Sequence, residues 1–342
     1  MRAVVYRQTG DPEVLRLEDR PEPEPGPGEV LVRVAVSGVN PTDWKNRRGK
    51  APGEAPPFPA VVPNQDGAGT IEAVGRGVDN ARIGERVWLW EAAWQRADGT
   101  AQELVALPEH QAVALPDEAS FDLGASLGIP ALTAHRCLTV GAGGPHHLEP
   151  GALADRAVLV AGGAGAVGHA AVELARWAGA TVVATVSSPE KAALARAAGA
   201  HHVVNYRAES AADDIREAAP EGVDLIVEVA PATNAALDAA VLGQGGTVAA
   251  YARDEDQLAV DIRPAMSRNL GYRFVLVYTV PAPAKRQAVE DVSAAVAAGA
   301  LRVGEDAGLP LHRFPLEQTP DAHAAVEGGA IGKVLIDVAS PS

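Results

Sequence analysis

A chain of 342 residues, 47% apolar and 21% charged, is too long for one ordinary core and too apolar to stay disordered, so two folded domains are expected. Its formal net charge of -15 repels a phosphate backbone, which argues against nucleic acid as a partner and for a small molecule. Cys137 is the single cysteine, which excludes an internal disulfide or a thiolate-rich zinc site and fits a reducing cytoplasm; with no signal-like core and no apolar run of spanning length, no membrane association is expected.

Up to about residue 116 the chain is rich in Pro, Gly and β-branched residues, with strand-like runs at 30–36, 69–74 and 86–90. Short strands punctuated in this way predict a partly opened β-barrel. The proline-rich residues 20–28 lie between two strand-like runs and read as a rigid surface loop rather than a linker. From about residue 122 helical patterns alternate with short apolar strands at 158–161, 181–186, 203–205, 225–229, 247–251 and 272–278. That alternation predicts a doubly wound parallel sheet, hence an α/β fold. After a helix near 285–298 the turn-rich tail ends in a strand-like run at 333–338 and is expected to return to the first domain. The expected boundaries are therefore 1–122, completed by about 285–342, and 123–284 between them.

Gly163, Gly165 and Gly168 fit G-x-G-x-x-G directly after the 158–161 strand and at the start of a helical pattern, with Ala164, Ala166 and Val167 between them. In that setting the first glycine is expected to make the tight turn, the second to admit a pyrophosphate, and the third to let helix and strand pack closely. The free N–H groups and the positive end of the helix favour the phosphate, so a Rossmann-type dinucleotide site is predicted. The 181–186 strand then runs into Ser187, Ser188, Pro189, Glu190 and Lys191. No acid ends the strand to hold a ribose 2′-hydroxyl, while two hydroxyls and an ammonium suit a 2′-phosphate; NADPH is the expected cofactor, with Glu190 the one residue that argues for a ribose contact.

Several segments, in order along nearly the whole chain, resemble the zinc-independent medium-chain dehydrogenases/reductases of the quinone oxidoreductase (zeta-crystallin-like) type. They are Ser37-Gly38-Val39-Asn40-Pro41-Thr42-Asp43, residues 67–75, Gly128-Ile129-Pro130-Ala131-Leu132-Thr133-Ala134, the glycine loop, residues 199–207, and Gly328-Gly329-Ala330-Ile331-Gly332-Lys333. The resemblance implies a GroES-like catalytic domain beside the Rossmann domain, with the active site in the cleft between them. Where zinc alcohol dehydrogenases of this superfamily carry a cysteine ligand the chain has Asn40, and where they carry a His-Glu pair it has Gln65-Asp66. Amides do not replace a thiolate and an imidazole, the structural four-cysteine lobe is absent, and no catalytic metal is expected. The adjacent pairs His146-His147 and His201-His202 lack the partner spacing of a metal site.

The implied acceptor is already activated: a quinone or an α,β-unsaturated carbonyl, receiving hydride from NADPH and then a proton from water or a nearby donor. By family position Asn40 is expected at the nicotinamide end of the site and Thr133 near the nicotinamide. Lys45 stands where a relative has a tyrosine bordering the cofactor, and is expected either to stabilise an enolate as a catalytic residue or to point to water. Tyr206 is expected at the adenosine phosphate, and Ala230, Tyr251, Ala252, Arg253, Val277 and Tyr278 along the dinucleotide. Ala232 falls where a relative has a cofactor-binding asparagine, with Asn234 two residues on. Asp43, Gln65 and Trp94 are the expected substrate pocket, Trp94 as a flat wall, while Trp88 and Trp90 are equally explained by core packing. A homodimer is expected through the edge strand from Tyr272 to Tyr278. The alternatives are an enoyl or alkenal reductase acting on a linear substrate, or an NADPH-holding binding or structural protein with vestigial activity.

Overall fold

The computed structural model describes residues 1–141 and 143–338. The chain forms two compact units, Met1–Ile129 with Leu311–Ser342, and Pro130–Pro310.

The first unit contains β1 (Arg2–Val5), β2 (Arg16–Asp19), β3 (Glu29–Val39), α1 (Pro41–Arg48), β4 (Asp66–Val74), β5 (Arg86–Leu89), β6 (Leu104–Pro108) and β7 (Ala112–Ala114), and then the start of α2 (Phe121–Thr139). The 11 residues of β3 organise the sheet. One edge pairs with β4 throughout, and β6 takes the N-terminal half of the other edge. Register shifts near Leu31 and Val34 bend β3 as it crosses the sheet, which curls the strands into the predicted partly opened barrel. Val30, Val32, Val87, Leu89, Val105 and Leu107 fill its core.

The second unit comprises the rest of α2 and six βα repeats: β8 (Ala157–Ala161), α3 (Ala166–Trp177), β9 (Thr181–Val186), α4 (Pro189–Ala197), β10 (His202–Asn205), α5 (Ala211–Ala218), β11 (Val223–Glu228), α6 (Pro231–Val241), β12 (Leu242–Ala250), α7 (Ile262–Arg268), β13 (Gly271–Phe274) and α8 (Ala282–Ala297). All six strands are parallel, in the order β10-β9-β8-β11-β12-β13. The order reverses beside β8, the place where such sheets bind ligands.

Three expectations are corrected. The 272–278 strand stops at Phe274, because its partner β12 ends at Ala250, the residue opposite Phe274; Val277–Thr279 is a 3-10 turn. The return to the first unit begins at Leu311 rather than near 285. Helix α8 belongs to the second unit because its Asp291 carboxylate accepts from the Leu148 N–H at 2.7 Å and sits 2.7 Å from His135 Nε2. The forward boundary lies at 129 rather than 122, since Ile129 in α2 donates its N–H to Asp66 of β4 at 2.9 Å.

From Leu311 on, β14 (Leu311–Pro315), α9 (Thr319–Glu327) and β15 (Lys333–Asp337) complete the barrel, β15 pairing antiparallel with the C-terminal half of β3. Helix α9 brings in His323, fully buried, whose Nε2 lies 2.9 Å from Asn64 Oδ1. Asn64 in turn donates to Ser37 Oγ at 2.9 Å, and Ser37 bonds Thr100 at 2.7 Å. Burial, then the charge of Arg47, pushes the His323 imidazole down to about 3. The folded state thus binds fewer protons than the unfolded chain between about pH 6.5 and 3, and stability falls as pH drops through that window. Thermal unfolding between pH 7 and 4 is expected to show a loss on the order of a few kcal/mol that His323→Gln abolishes. An equally acid-labile variant would contradict this.

Candidate functional site

The end of β8 opens into the glycine loop. Gly162, outside the three-glycine pattern, makes the turn, with φ of +70°, and its N–H and that of Gly163 donate to Thr185 O at 3.1 and 3.2 Å. The expected tight-turn role of Gly163 therefore moves one residue back; Gly163 is required instead because a Cβ there would lie 2.8 Å from Ala184 Cβ on β9. At Gly168 a Cβ would stand 2.3 Å from the Gly162 carbonyl oxygen, so loop and helix touch backbone to backbone. At Gly165, the N-cap of α3, the nearest atom to such a Cβ is Gly162 O at 3.5 Å, and no side chain caps the helix. The loop is thus closed on both sides and open at Gly165, where Ala166, Val167 and Gly168 begin a 12-residue helix. That opening meets the positive end of the helix and suits an anion.

The residues expected at the adenosine phosphate and along the dinucleotide after the loop follow the carboxyl ends of parallel strands, on the same edge of the sheet as the loop, whereas Asn40 caps α1, Lys45 lies on α1 and Thr133 on α2. Ser187 and Ser188 follow β9, and Ser188 Oγ caps α4 by accepting the Lys191 N–H at 3.3 Å, which leaves its own proton to donate. Tyr206 is held there by its N–H on Val186 O at 3.1 Å. Arg207, next in the chain, places its guanidinium 5.8 Å from the Tyr206 ring centroid. This corner therefore carries hydroxyls, a lysine and an arginine, with Glu190 exposed on α4.

After β11 the geometry departs from expectation. Glu228, fully buried, accepts the Ala230 N–H at 2.5 Å and Asn234 Nδ2 at 2.9 Å. The Ala230 amide is thereby turned inward, and Asn234 holds Glu228. Burial and the charge of Glu228 push the Asp238 carboxyl up to about 9, so Asp238 keeps its proton. Tyr251 and Ala252 follow β12, and Val277 and Tyr278, expected within the 272–278 strand, instead follow β13 in the 3-10 turn and are buried. Arg253 pairs with Asp256 at 2.8 Å on the surface, its side chain 78% exposed. Thr133 is buried in α2.

In the first unit Asp43, Gln65 and Trp94 line one cavity of about 440 Å³ together with Tyr6, Asn64 and Phe58. Trp88 and Trp90 are core residues instead. Lys45 does not line this cavity; it is exposed on α1, its ammonium 5.7 Å from the Trp44 ring centroid. Behind the cavity lies a buried charged network. Asn40, the N-cap of α1, donates through Nδ2 to Asp66 at 2.7 Å and accepts through Oδ1 from Lys333 Nζ at 2.7 Å. Lys333 is 3.7 Å from Asp66. Pro130 lacks an N–H, and just before it Ile129 turns its own to both Asp66 oxygens, at 2.9 and 3.1 Å. Asp43, in the first turn of α1, accepts the Asn40 N–H at 2.7 Å. Burial, then the charge of Asp66, pushes the Asp43 carboxyl up to about 8. Burial also raises Asp66 and lowers Lys333, each opposed by the other's charge.

Lys333 has no local signal in the sequence: it lies 293 residues from Asn40, and only the return of β15 to β3 brings it in. Among the described residues no three His, Cys, Asp or Glu side chains are grouped to hold a metal ion. No helix among them is long and apolar enough to cross a membrane.

Two family models match the chain, an alcohol dehydrogenase GroES-like domain over residues 26–117 and a zinc-binding dehydrogenase over residues 166–298. A curated relative, the quinone oxidoreductase of Lama guanicoe, is 32% identical over 98% of this chain and 97% of its own. Among solved structures, an NAD-dependent alcohol dehydrogenase matches with a TM-score of 0.84 at 28% identity, covering 99% of this chain and 100% of that one. A mycobacterial protein complexed with NADPH matches with a TM-score of 0.80 at 28% identity, covering 98% and 99%.

Proposed function

Because the chain belongs to the quinone oxidoreductase family of medium-chain dehydrogenases/reductases, and so to the oxidoreductases, we propose that it reduces a quinone or an α,β-unsaturated carbonyl with NADPH and without a catalytic zinc. The observation that carries this reading is the Asn40 amide, bonded at one end to Asp66 and at the other to Lys333. A carboxylate already facing an ammonium through an amide is a poor donor set for a dication, so the zinc implied by one family description does not fit here. An acceptor activated by conjugation needs no Lewis acid to receive hydride.

The open backbone at Gly165 and the α3 N-terminus suit the pyrophosphate, and Ser187, Ser188, Lys191, Tyr206 and Arg207 suit the 2′-phosphate. Bound NADPH supplies the hydride. The Asp43, Gln65 and Trp94 cavity holds the acceptor, with the Trp94 ring as a flat wall. Replacing both Lys191 and Arg207 by alanine is expected to raise KM for NADPH at least about 100-fold while leaving KM for NADH unchanged, since charge-assisted bonds contribute about 1.5–3 kcal/mol each. Equal losses for both cofactors would contradict the assignment.

The functional test is NADPH and NADH oxidation against benzoquinone, a naphthoquinone, a short enone and a linear enoyl substrate, with a primary alcohol and NADP⁺ run in reverse. Turnover of quinones or enones without alcohol oxidation supports the proposal; alcohol oxidation overturns it. Strand β13 is an edge strand, and around it Phe274, Leu276, Ile262 and Met266 are exposed, which supports a homodimer formed there. Light scattering is expected to give twice the chain mass, and Phe274→Arg the mass of a monomer. The buried, unreactive thiol of Cys137 suits a cytoplasmic protein.

A further inference from the structure

Hydride delivery to a quinone or an enone leaves an anionic oxygen that still needs a proton, and the cavity holds a group placed to give it. We propose that Asp43 is the catalytic acid, protonating the oxygen of the reduced acceptor from the wall of the cavity it shares with Gln65 and Trp94. This rests on the reading that the cavity holds the acceptor.

The carboxyl is fixed in place. It lies in the first turn of α1, is 3% exposed, and accepts backbone N–H groups from Asn40 at 2.7 Å and from Gln65. The charges that act on it are Asp66 from β4 and Lys333 from β15, and Tyr6 after β1 feels its charge in turn; Arg47 on its own helix is paired with Glu327. Asp43, Asp66 and Lys333 make two carboxyls and one ammonium, all buried. A second unneutralised carboxylate there is costly, so one carboxyl keeps a proton. Asp66 takes the Asn40 amide, the Ile129 N–H and the Lys333 charge, and is the better carboxylate. Asp43 keeps the proton, and loses it only as pH rises through about 8. Its rivals on the cavity wall are worse donors: burial and Asp43 push Tyr6 up to about 12, and Arg96 does not release a proton.

The step balances. For a quinone, NADPH is oxidised to NADP⁺ as its hydride reduces the quinone to a hydroquinone monoanion, and Asp43 transfers its proton to the remaining oxyanion, giving the hydroquinone and a carboxylate. For an enone, hydride bonds to the β-carbon, the C=C pair moves toward the carbonyl, and Asp43 protonates the enolate oxygen to an enol that ketonises. In both cases water returns a proton to Asp43 after product leaves.

The test is the pH dependence of kcat from pH 5 to 10 with saturating NADPH and naphthoquinone, in H₂O and D₂O, for the wild type, Asp43→Asn and Asp43→Glu. The wild type is expected to lose kcat above about pH 8 and to show a solvent isotope effect. Asp43→Asn is expected to fall at least about 100-fold in kcat, losing both the alkaline limb and the isotope effect, with Kd for NADPH unchanged. Asp43→Glu, which keeps an acid and serves if the asparagine variant fails to fold, is expected to recover part of kcat with a displaced alkaline limb. An asparagine variant that keeps the wild-type rate, or is slow but keeps the alkaline limb, overturns the assignment, as does a glutamate variant with an undisplaced limb. A wild type that turns over no acceptor overturns the functional reading itself, and this assignment with it.

Discussion

Alanine at Gly168 is expected to lose cofactor binding together with the local fold, whereas alanine or valine at Gly165 is expected to leave the fold intact and lose binding alone. The difference follows from what a side chain would meet. At Gly168 a Cβ falls 2.3 Å from the Gly162 oxygen and 2.9 Å from its carbon, both backbone atoms of the turn that starts the loop. Backbone cannot rotate aside, so helix α3 and the loop must separate, at a cost of about 1–3 kcal/mol or more. At Gly165 the only near atom is Gly162 O at 3.5 Å, an ordinary contact. A side chain there costs the folded protein little and occupies the space a pyrophosphate needs. Thermal unfolding and titration of NADPH fluorescence separate the two: Gly168→Ala lowers Tm and weakens NADPH, while Gly165→Val keeps Tm and weakens NADPH at least about 100-fold. A Gly165→Val protein that binds NADPH normally would remove the loop from the cofactor site.

Lys333→Met is expected to be strongly destabilising. The Lys333 side chain is 1% exposed and that of Asp66 is fully buried, 3.7 Å away. Removing the ammonium leaves a buried carboxylate with only the Asn40 amide and the Ile129 N–H, and breaking such a pair costs about 3–5 kcal/mol. Adding Asp66→Asn removes the stranded charge while keeping an oxygen for the Ile129 N–H, so the double variant is expected to regain most of the loss. Urea unfolding of the two single variants and the double gives the coupling directly. Independent, additive losses would show that the pair is not the source of the effect.

The parts of this protein that were legible in its sequence are those written in local pattern. The apolar runs ending at Ala161 and Val186 became β8 and β9, and the glycines after β8 lie at a helix N-terminus, as strand, turn and helix signals predict. What escaped were features set by distant neighbours. No pattern distinguishes Gly162 from Gly163 as the turn residue, because the choice depends on Thr185 of β9 receiving both N–H groups. The end of β13 was overrun because a strand stops where its partner stops, and β12 stops at Ala250. Lys45 looked like a site residue from its position in the chain, yet on α1 it faces solvent while Asp43, two residues earlier, faces inward. The inverse holds for Lys333, which looked like the start of a strand and lies in the charged network behind the cavity.

The most direct test of the proposed reaction follows the hydride itself. Each C4 epimer of deuterated NADPH is incubated with a short enone, and the saturated ketone is examined by mass and by NMR. Direct transfer predicts one deuterium at the β-carbon from one epimer only, with a slower rate for that epimer. Deuterium lost to solvent, or NADPH consumed without a labelled ketone, would contradict it.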